Sequence, residues 1–238
     1  MKDRLKFIIL PGWGNDGSGK MWQYQKQHLQ ELDTEFIIVT DKTTVTEAAE
    51  EVLSKAPEQF IVLGHSMGGL IAQHVALMAP QRVKNLILVG TFPGNISPAQ
   101  RAIFEERMLQ PSLKGTISTH LEELNKGAVA PSRANDRVLL ESLRACQNLT
   151  DAELVNQSKI LLSAQDISEK LAAISTPTLI LWGRHDQFFP MEVQALMLKH
   201  LANAKLAIIE DCGHIPSLEQ PQATTSLLSL WLQMTVTN

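Results

Sequence analysis

Residues 59–69 read QFIVLGHSMGG. The apolar run Phe60 to Leu63 is short and ends in glycine, which reads as a buried strand, whereas Leu70 to Ala79, stopped by Pro80, has the length and composition of a helix. The five residues Gly64-His65-Ser66-Met67-Gly68 must therefore turn the chain from strand to helix within a very short span. Small residues at both ends of G-x-S-x-G permit that turn and leave Ser66 strained and exposed at the carboxyl end of the strand. A chain with 13 glycines contains the pattern by chance roughly one time in twenty. Its placement between strand and helix therefore carries the reading, and the motif alone does not.

Five further runs resemble this one: Leu5–Leu10, Glu35–Val39, Asn85–Val89, Pro177–Trp182 and Lys205–Ile209. Their hydrophobicity is continuous rather than alternating, as strands of a parallel sheet require when helices cover both faces. The sequence thus predicts an α/β fold with a mostly parallel, doubly wound sheet of at least six strands. About 85 residues without a strand signal separate Val89 from Pro177, far more than one crossover needs. Ser97-Pro98, Pro131-Ser132 and the capping box Thr150-Asp151-Ala152-Glu153 mark helix starts inside this interval. The expected organisation is a core of residues 1–94 and 174–238 with a helical insertion, 95–173, before the penultimate strand.

In an open α/β sheet, ligands sit beyond the carboxyl ends of the strands. The fifth run exits into Trp182-Gly183-Arg184-His185-Asp186, and the sixth is followed by Asp211-Cys212-Gly213-His214. A serine hydroxyl is a weak nucleophile and needs a base and a group that orients the base. His214 and Asp186 stand where those two groups are needed, in the chain order Ser, Asp, His. Taken singly each has a plainer reading: Ser66 as a helix N-cap, Asp186 as a turn residue, His214 as a surface residue.

On three motifs, GHSMGG (64–69), WGRHDQFFP (182–190) and GHIPSLEQP (213–221), the sequence resembles the α/β-hydrolase family from Leu5 to about Trp231. The resemblance implies Ser66 as nucleophile, His214 as general base, Asp186 as its orienter, and the N–H groups of Trp13 and Met67 as the oxyanion hole. It also implies that the insertion is a helical cap, or lid, and that no metal or organic cofactor takes part. Serine at the nucleophile position separates the chain from the dehalogenases and epoxide hydrolases of the family, which carry aspartate there. Carboxylic esters, thioesters and lactones remain as substrates. Among cap-bearing members the sequence is similar both to esterases acting on carrier-linked pimeloyl methyl esters, including their P-G-W-G loop, and to 3-oxoadipate enol-lactonases.

The stretch LPGWGNDGSGK, residues 10–20, admits two competing readings. Gly14 to Lys20 spells most of a Walker phosphate loop, but Met21 stands where Ser or Thr would hold magnesium. Gly12, Gly14 and Gly17 spell G-x-G-x-x-G, with Asp41 near the position of a ribose-binding acid, the mark of a dinucleotide-binding oxidoreductase. That reading leaves Ser66, Asp186 and His214 without a role.

A net charge of −4 without long basic runs argues against nucleic acid or an anionic membrane as partner, leaving a small-molecule ester. Two cysteines, Cys146 and Cys212, read as thiols, and the N-terminal apolar run is too short for a signal peptide, so a cytoplasmic location is expected. Phe92, Phe188, Phe189 and Ile215 lie beside strand ends and are expected to wall an apolar substrate pocket. Arg133, Arg137 and Arg144 fall on one face if they share a helix. Such a stripe suits an acidic partner such as an acyl carrier protein, which the resemblance to the carrier-linked esterases also implies. A solvated face paired with Asp136 and Glu141 is the plainer alternative. A non-hydrolytic binding protein on the same fold is the alternative of another class.

Overall fold

The structure, a computed structural model, describes residues 5–94, 96–108 and 116–236. Six strands form one all-parallel sheet: β1 (Lys6–Leu10), β2 (Asp33–Phe36), β3 (Phe60–His65), β4 (Val83–Val89), β5 (Thr178–Gly183) and β6 (Ala204–Ile209), in spatial order β2-β1-β3-β4-β5-β6. The strands read as continuous apolar runs because both faces are covered. Ile8, Leu10, Val62, Leu86 and Ile180 pack on one side with α2 (Val45–Lys55), α3 (Met67–Met78) and α8 (Met191–His200). Phe7, Ile9, Ile61, Leu63 and Leu181 face the other side, where Leu228 and Trp231 of α10 (Pro221–Val236) meet them.

The second strand differs from its expected position. The apolar residues 37–39 run on past the strand, Ile37 N–H still donating to the Ile9 carbonyl oxygen at 3.1 Å, to bury Ile37 and Val39 in the core, while Asp33-Thr34-Glu35-Phe36 pairs with β1 as a partly exposed edge. Its acidic residues are matched by the neighbouring strand: Lys6 Nζ lies 3.1 Å from Asp33 and 3.4 Å from Glu35. An edge strand open to solvent carries charge, and that hid it from a search for apolar runs.

Between β4 and β5 the chain forms α4 (Pro98–Ile103), a π turn (Phe104–Met108), α5 (Thr116–Ala128), α6 (Arg137–Arg144) and α7 (Asp151–Ser163). Thr150 and Glu153 cap α7 reciprocally. Pro131 opens only a 3-10 turn, Pro131–Arg133; α6 starts later, with Asp136 Oδ1 accepting from Leu139 N–H. Arg133 is therefore not on the helix that carries Arg137 and Arg144, and the three do not form the expected stripe.

The strand order reverses between β1 and β3. There the loops leaving their carboxyl ends diverge to opposite sides and open a crevice. The loop after β1 begins at Pro11, and the turn after β3 holds Ser66.

Candidate active site

Ser66 sits between β3 and α3 with φ 54° and ψ −120°, a positive-φ conformation that a residue with a Cβ rarely takes. Such a position costs about 1–3 kcal/mol and persists because its surroundings force it. A Cβ on Gly64 would lie 2.3 Å from the Gly68 carbonyl oxygen, and one on Gly68 would lie 2.1 Å from that of Leu10. The two glycines thus let the strand, the helix and the first loop close on one another. Ser66 occupies the N-cap position of α3, yet its side chain makes no capping bond, so the hydroxyl is not spent on the helix. Met67 opens α3, where an N–H has no intrahelical acceptor.

Asp186 and His214 are both buried, and Asp186 Oδ2 lies 2.8 Å from His214 Nδ1. The other carboxylate oxygen, Oδ1, accepts from the N–H groups of Phe188 (2.8 Å) and Phe189 (3.1 Å), which fixes the carboxylate's direction. A carboxylate at Nδ1 assigns the proton to that nitrogen and leaves Nε2 as an acceptor. Ser66 and His214 line the same cavity, though no hydrogen bond joins them among the described residues. Such bonds commonly tighten only when substrate is present.

One neighbour of this pair escaped sequence reasoning. Gly90 comes directly after β4 with φ 49°, and a Cβ there would lie 3.1 Å from His214 Nδ1 and 3.3 Å from Asp186 Oδ2. Its position at a strand end was the available signal, but a glycine offers no reactive side chain to draw notice. A second neighbour, His65, is buried and donates from Nε2 to the His214 carbonyl oxygen at 2.9 Å. Burial, and secondarily the charge of His214, hold its pKa down at about 3. It is a neutral imidazole at ordinary pH.

The loop after β1 takes neither nucleotide-binding form. Gly14, Gly17 and Gly19 all have positive φ and spread the turn, and a 3-10 turn, Lys20–Trp22, separates the last of them from α1 (Gln23–His28). Lys20 Nζ is held by the Ala145 carbonyl oxygen at 3.1 Å, and Asp41 is an exposed partner of Lys42. Instead the loop runs against the turn at Ser66: a Cβ on Gly12 would lie 3.1 Å from Ser66 Cβ. Helix α7 fixes it, with the Trp13 indole N–H donating to Ser158 Oγ (3.0 Å) and Gly14 N–H to Gln157 Oε1 (2.8 Å). Neither bond uses the Trp13 main-chain N–H.

A cavity of about 490 Å³ opens over Ser66. Trp13, Phe188, Phe189 and Ile215 line it; Phe92, expected on the wall, does not, because it stacks behind Phe189 at 4.5 Å. Phe188 meets the His214 ring edge-on at 4.9 Å. Much of the remaining wall comes from the inserted helices: Leu121, Leu124 and Asn125 of α5, Leu143 of α6, and Gln147 beyond it. Asn125 and Gln147 pair reciprocally, each amide donating to the other at 2.9 Å. No Lys, Arg, Asp or Glu is among the described residues of the wall.

Each of the three arginines has an acidic neighbour. Arg133 reaches Asp211 at 3.2 Å, Arg144 pairs with Glu122, and Arg137, the most exposed, has Glu141 at 4.0 Å. Cys146 and Cys212 are buried free thiols, and burial pushes both pKa values up, that of Cys146 to about 11. Among the described residues no helix is long and apolar enough to cross a membrane.

Known proteins share this architecture. A family model described as alpha/beta hydrolase fold matches residues 52–221. A pimeloyl-[acyl-carrier protein] methyl ester esterase of Hamiltonella defensa subsp. Acyrthosiphon pisum is 30% identical over 230 residues, covering 90% of this chain and 87% of that protein. An esterase from Thermogutta terrifontis superposes with a TM-score of 0.82 at 23% identity, covering 97% of this chain and 90% of that one. The enol-lactonase from Burkholderia xenovorans superposes with a TM-score of 0.81 at 20% identity, covering 97% and 92%. At those identities the two structures speak to the fold alone.

Proposed function

The chain belongs to the alpha/beta hydrolase fold family, and we propose that this ester hydrolase works through an acyl-enzyme on Ser66, with His214 as base and Asp186 as its orienter. The observation that carries the reading is the Asp186–His214 hydrogen bond at the wall of the cavity into which the strained Ser66 faces. In this mechanism His214 Nε2 takes the Ser66 proton as Oγ attacks the ester carbonyl carbon. The Trp13 and Met67 N–H groups hold the oxyanion, a contribution on the order of 3 kcal/mol for each donor in the transition state. The imidazolium then protonates the leaving alcohol, and water, deprotonated by the same imidazole, releases the acid. No step calls for a metal or an organic cofactor.

The substrate we propose is an uncharged acyl chain, such as the carrier-linked pimeloyl methyl ester of the Hamiltonella relative. Support comes from the wall: its described residues are apolar or neutral, with the amide pair Asn125–Gln147 as a polar feature. A lactone of a dicarboxylic acid keeps a free carboxylate, and desolvating that charge without a cation is costly. The wall therefore favours the ester over the enol-lactone. In this reading residues 95–173 are a cap on the core formed by 1–94 and 174–238, and an acyl carrier protein docks on the cap.

The test is hydrolysis of p-nitrophenyl esters with two to twelve acyl carbons by wild type and Ser66→Ala, together with fluorophosphonate labelling. Ser66→Ala is expected to lose at least about 10³-fold in kcat while keeping its fold, with a single adduct on wild type at Ser66. Retained turnover, or an adduct elsewhere, overturns the assignment. A folded wild type that neither turns over nor labels indicates a binding protein instead.

A further inference from the structure

Glu219 is a carboxylate that the mechanism does not use, and it is 3% exposed. It closes the single turn α9 (Pro216–Glu219), directly after His214 and Ile215. Its oxygens turn back along the chain. Oε1 accepts from Gly213 N–H at 2.9 Å and Ile215 N–H at 3.2 Å; Oε2 accepts from Gly213 N–H at 3.0 Å and Ala130 N–H at 2.7 Å. Burial works against its charge and pushes its carboxyl upward, opposed by those N–H groups and by Arg133. A buried charge with that cost is retained only where its hydrogen bonds are needed.

The bonded groups identify the need. Gly213 and Ile215 flank His214 on either side, so the carboxylate grips the main chain immediately before and after the imidazole-bearing residue. The third partner, Ala130, belongs to the segment leaving α5, and that segment also holds His214 itself: His214 N–H donates to the Ala128 carbonyl oxygen at 2.6 Å. The two segments meet so closely that a Cβ on Gly213 would lie 2.6 Å from Ala130 N. The His214 carbonyl oxygen is taken by His65. The N–H and the carbonyl of His214 are thus both held, and Glu219 holds the N–H groups on its two flanks.

We infer that Glu219 is a positioning residue for the reaction: through Gly213, Ile215 and Ala130 it locks the loop of His214 to the inserted segment and so holds the imidazole in its working place over Ser66. This rests on the reading of His214 as base. A general base misplaced by about 1 Å costs on the order of 100-fold in rate, while binding of a small ester at the distant wall is little affected. The loop therefore has to be immobile, and a one-turn helix without a side-chain N-cap cannot make it so unaided.

Glu219→Ala and Glu219→Gln separate this from a general structural role. With active sites titrated by fluorophosphonate, kcat on p-nitrophenyl butyrate is expected to fall about 10- to 100-fold in Glu219→Ala, with KM within about threefold of wild type. Glu219→Gln, which keeps one acceptor oxygen but turns an N–H₂ toward N–H donors, is expected to fall between. Amide exchange at Gly213, Ile215 and Ala130 is expected to quicken in the same order. A kcat per titrated site within twofold of wild type in whichever variants fold overturns the inference, as does unchanged exchange at those three amides. If wild type itself takes no fluorophosphonate, the reading of Ser66 and His214 fails first, and the exchange data still report whether Glu219 ties the loop.

Discussion

The strand-end loops and the inserted helices meet at one cavity but are built under different constraints. At the strand ends backbone touches backbone: a Cβ on Gly68 would fall 2.1 Å from the Leu10 carbonyl oxygen, and one on Gly183 would fall 2.0 Å from that of Gly213. On the helical side, a Cβ on Gly127 of α5 meets nothing within 4 Å. Where main chains are in contact, residue type is dictated by geometry; where side chains line a cavity, many sequences serve.

The contrast breaks or holds on a pair of alanines. Gly68→Ala is expected to destabilise the protein by about 3 kcal/mol, because its neighbours are backbone and cannot move aside, and to cost at least tenfold in kcat by displacing Ser66. Gly127→Ala is expected to be neutral or to stabilise by up to about 1 kcal/mol, since alanine suits the last turn of α5 at least as well and limits the unfolded chain. Urea unfolding with steady-state kinetics measures both. Equal losses from the two substitutions would remove the distinction.

The same division governs how much of the molecule was legible in its sequence. Strand ends announced themselves, since G-x-S-x-G, Asp186 and His214 each come after an apolar run and their spacing marks them. The structure assembles Asp186 with His214 and brings Ser66 to the same cavity. Glu219 lies inside the quoted motif GHIPSLEQP, yet its role was not legible, because a glutamate five residues after His214 looks like any solvent-facing acid and only the backward path of α9 turns it to Gly213 and Ala130. Asn125 and Gln147 carried no signal either: in an amphipathic helix such as α5, facing a cavity and facing a core leave the same pattern, and Gln147 lies in a connection with no pattern to read. Phe92 failed for a related reason, since adjacency to a strand end does not tell the wall from the layer behind it.

Acid is expected to probe the strand-end side next. His65 has a folded pKa of about 3 against an ordinary 6.5, because burial disfavours its cation. The unfolded state therefore binds a proton that the folded state refuses. Stability from this group is complete above pH 6.5 and declines as the pH falls toward 3. At 1.36 kcal/mol per pH unit, lowering the pH from 6.5 to 4.5 is expected to cost about 2 kcal/mol through this residue. Urea midpoints at the two pH values measure it, and His65→Gln should flatten the dependence. A wild type and variant with equal slopes would place the acid sensitivity elsewhere.

On the helical side the expected change is in selectivity rather than chemistry. Leucine at both Asn125 and Gln147 removes a satisfied amide pair together, so no orphaned partner remains, and stability should stay within about 1 kcal/mol. Turnover of p-nitrophenyl acetate should be retained within about threefold, while esters with a neutral polar group in the acyl chain lose relative to alkyl esters of equal length. A uniform loss across both series would make the pair part of the machinery.

The smallest effect concerns the outer face of the inserted helices, where the three arginines differ in how firmly they are engaged. Arg133 is tied to Asp211, which Ser132 also holds at 2.7 Å, and Arg144 is tied to Glu122 across to α5. Arg137 is the least engaged, its guanidinium 4.0 Å from Glu141 and its side chain 90% exposed. An exposed pair of that length contributes under about 1 kcal/mol, so Arg137→Glu should leave stability unchanged. It should equally leave p-nitrophenyl butyrate turnover unchanged, since neither Arg137 nor Glu141 lines the cavity over Ser66. A carrier-linked methyl ester should instead lose about 3- to 10-fold in kcat/KM at low salt, and the loss should shrink as salt screens the approach of the acidic carrier. Equal turnover of the carrier-linked ester by both proteins at every salt concentration would remove Arg137 from the docking surface and leave that face of α6 as solvated charge.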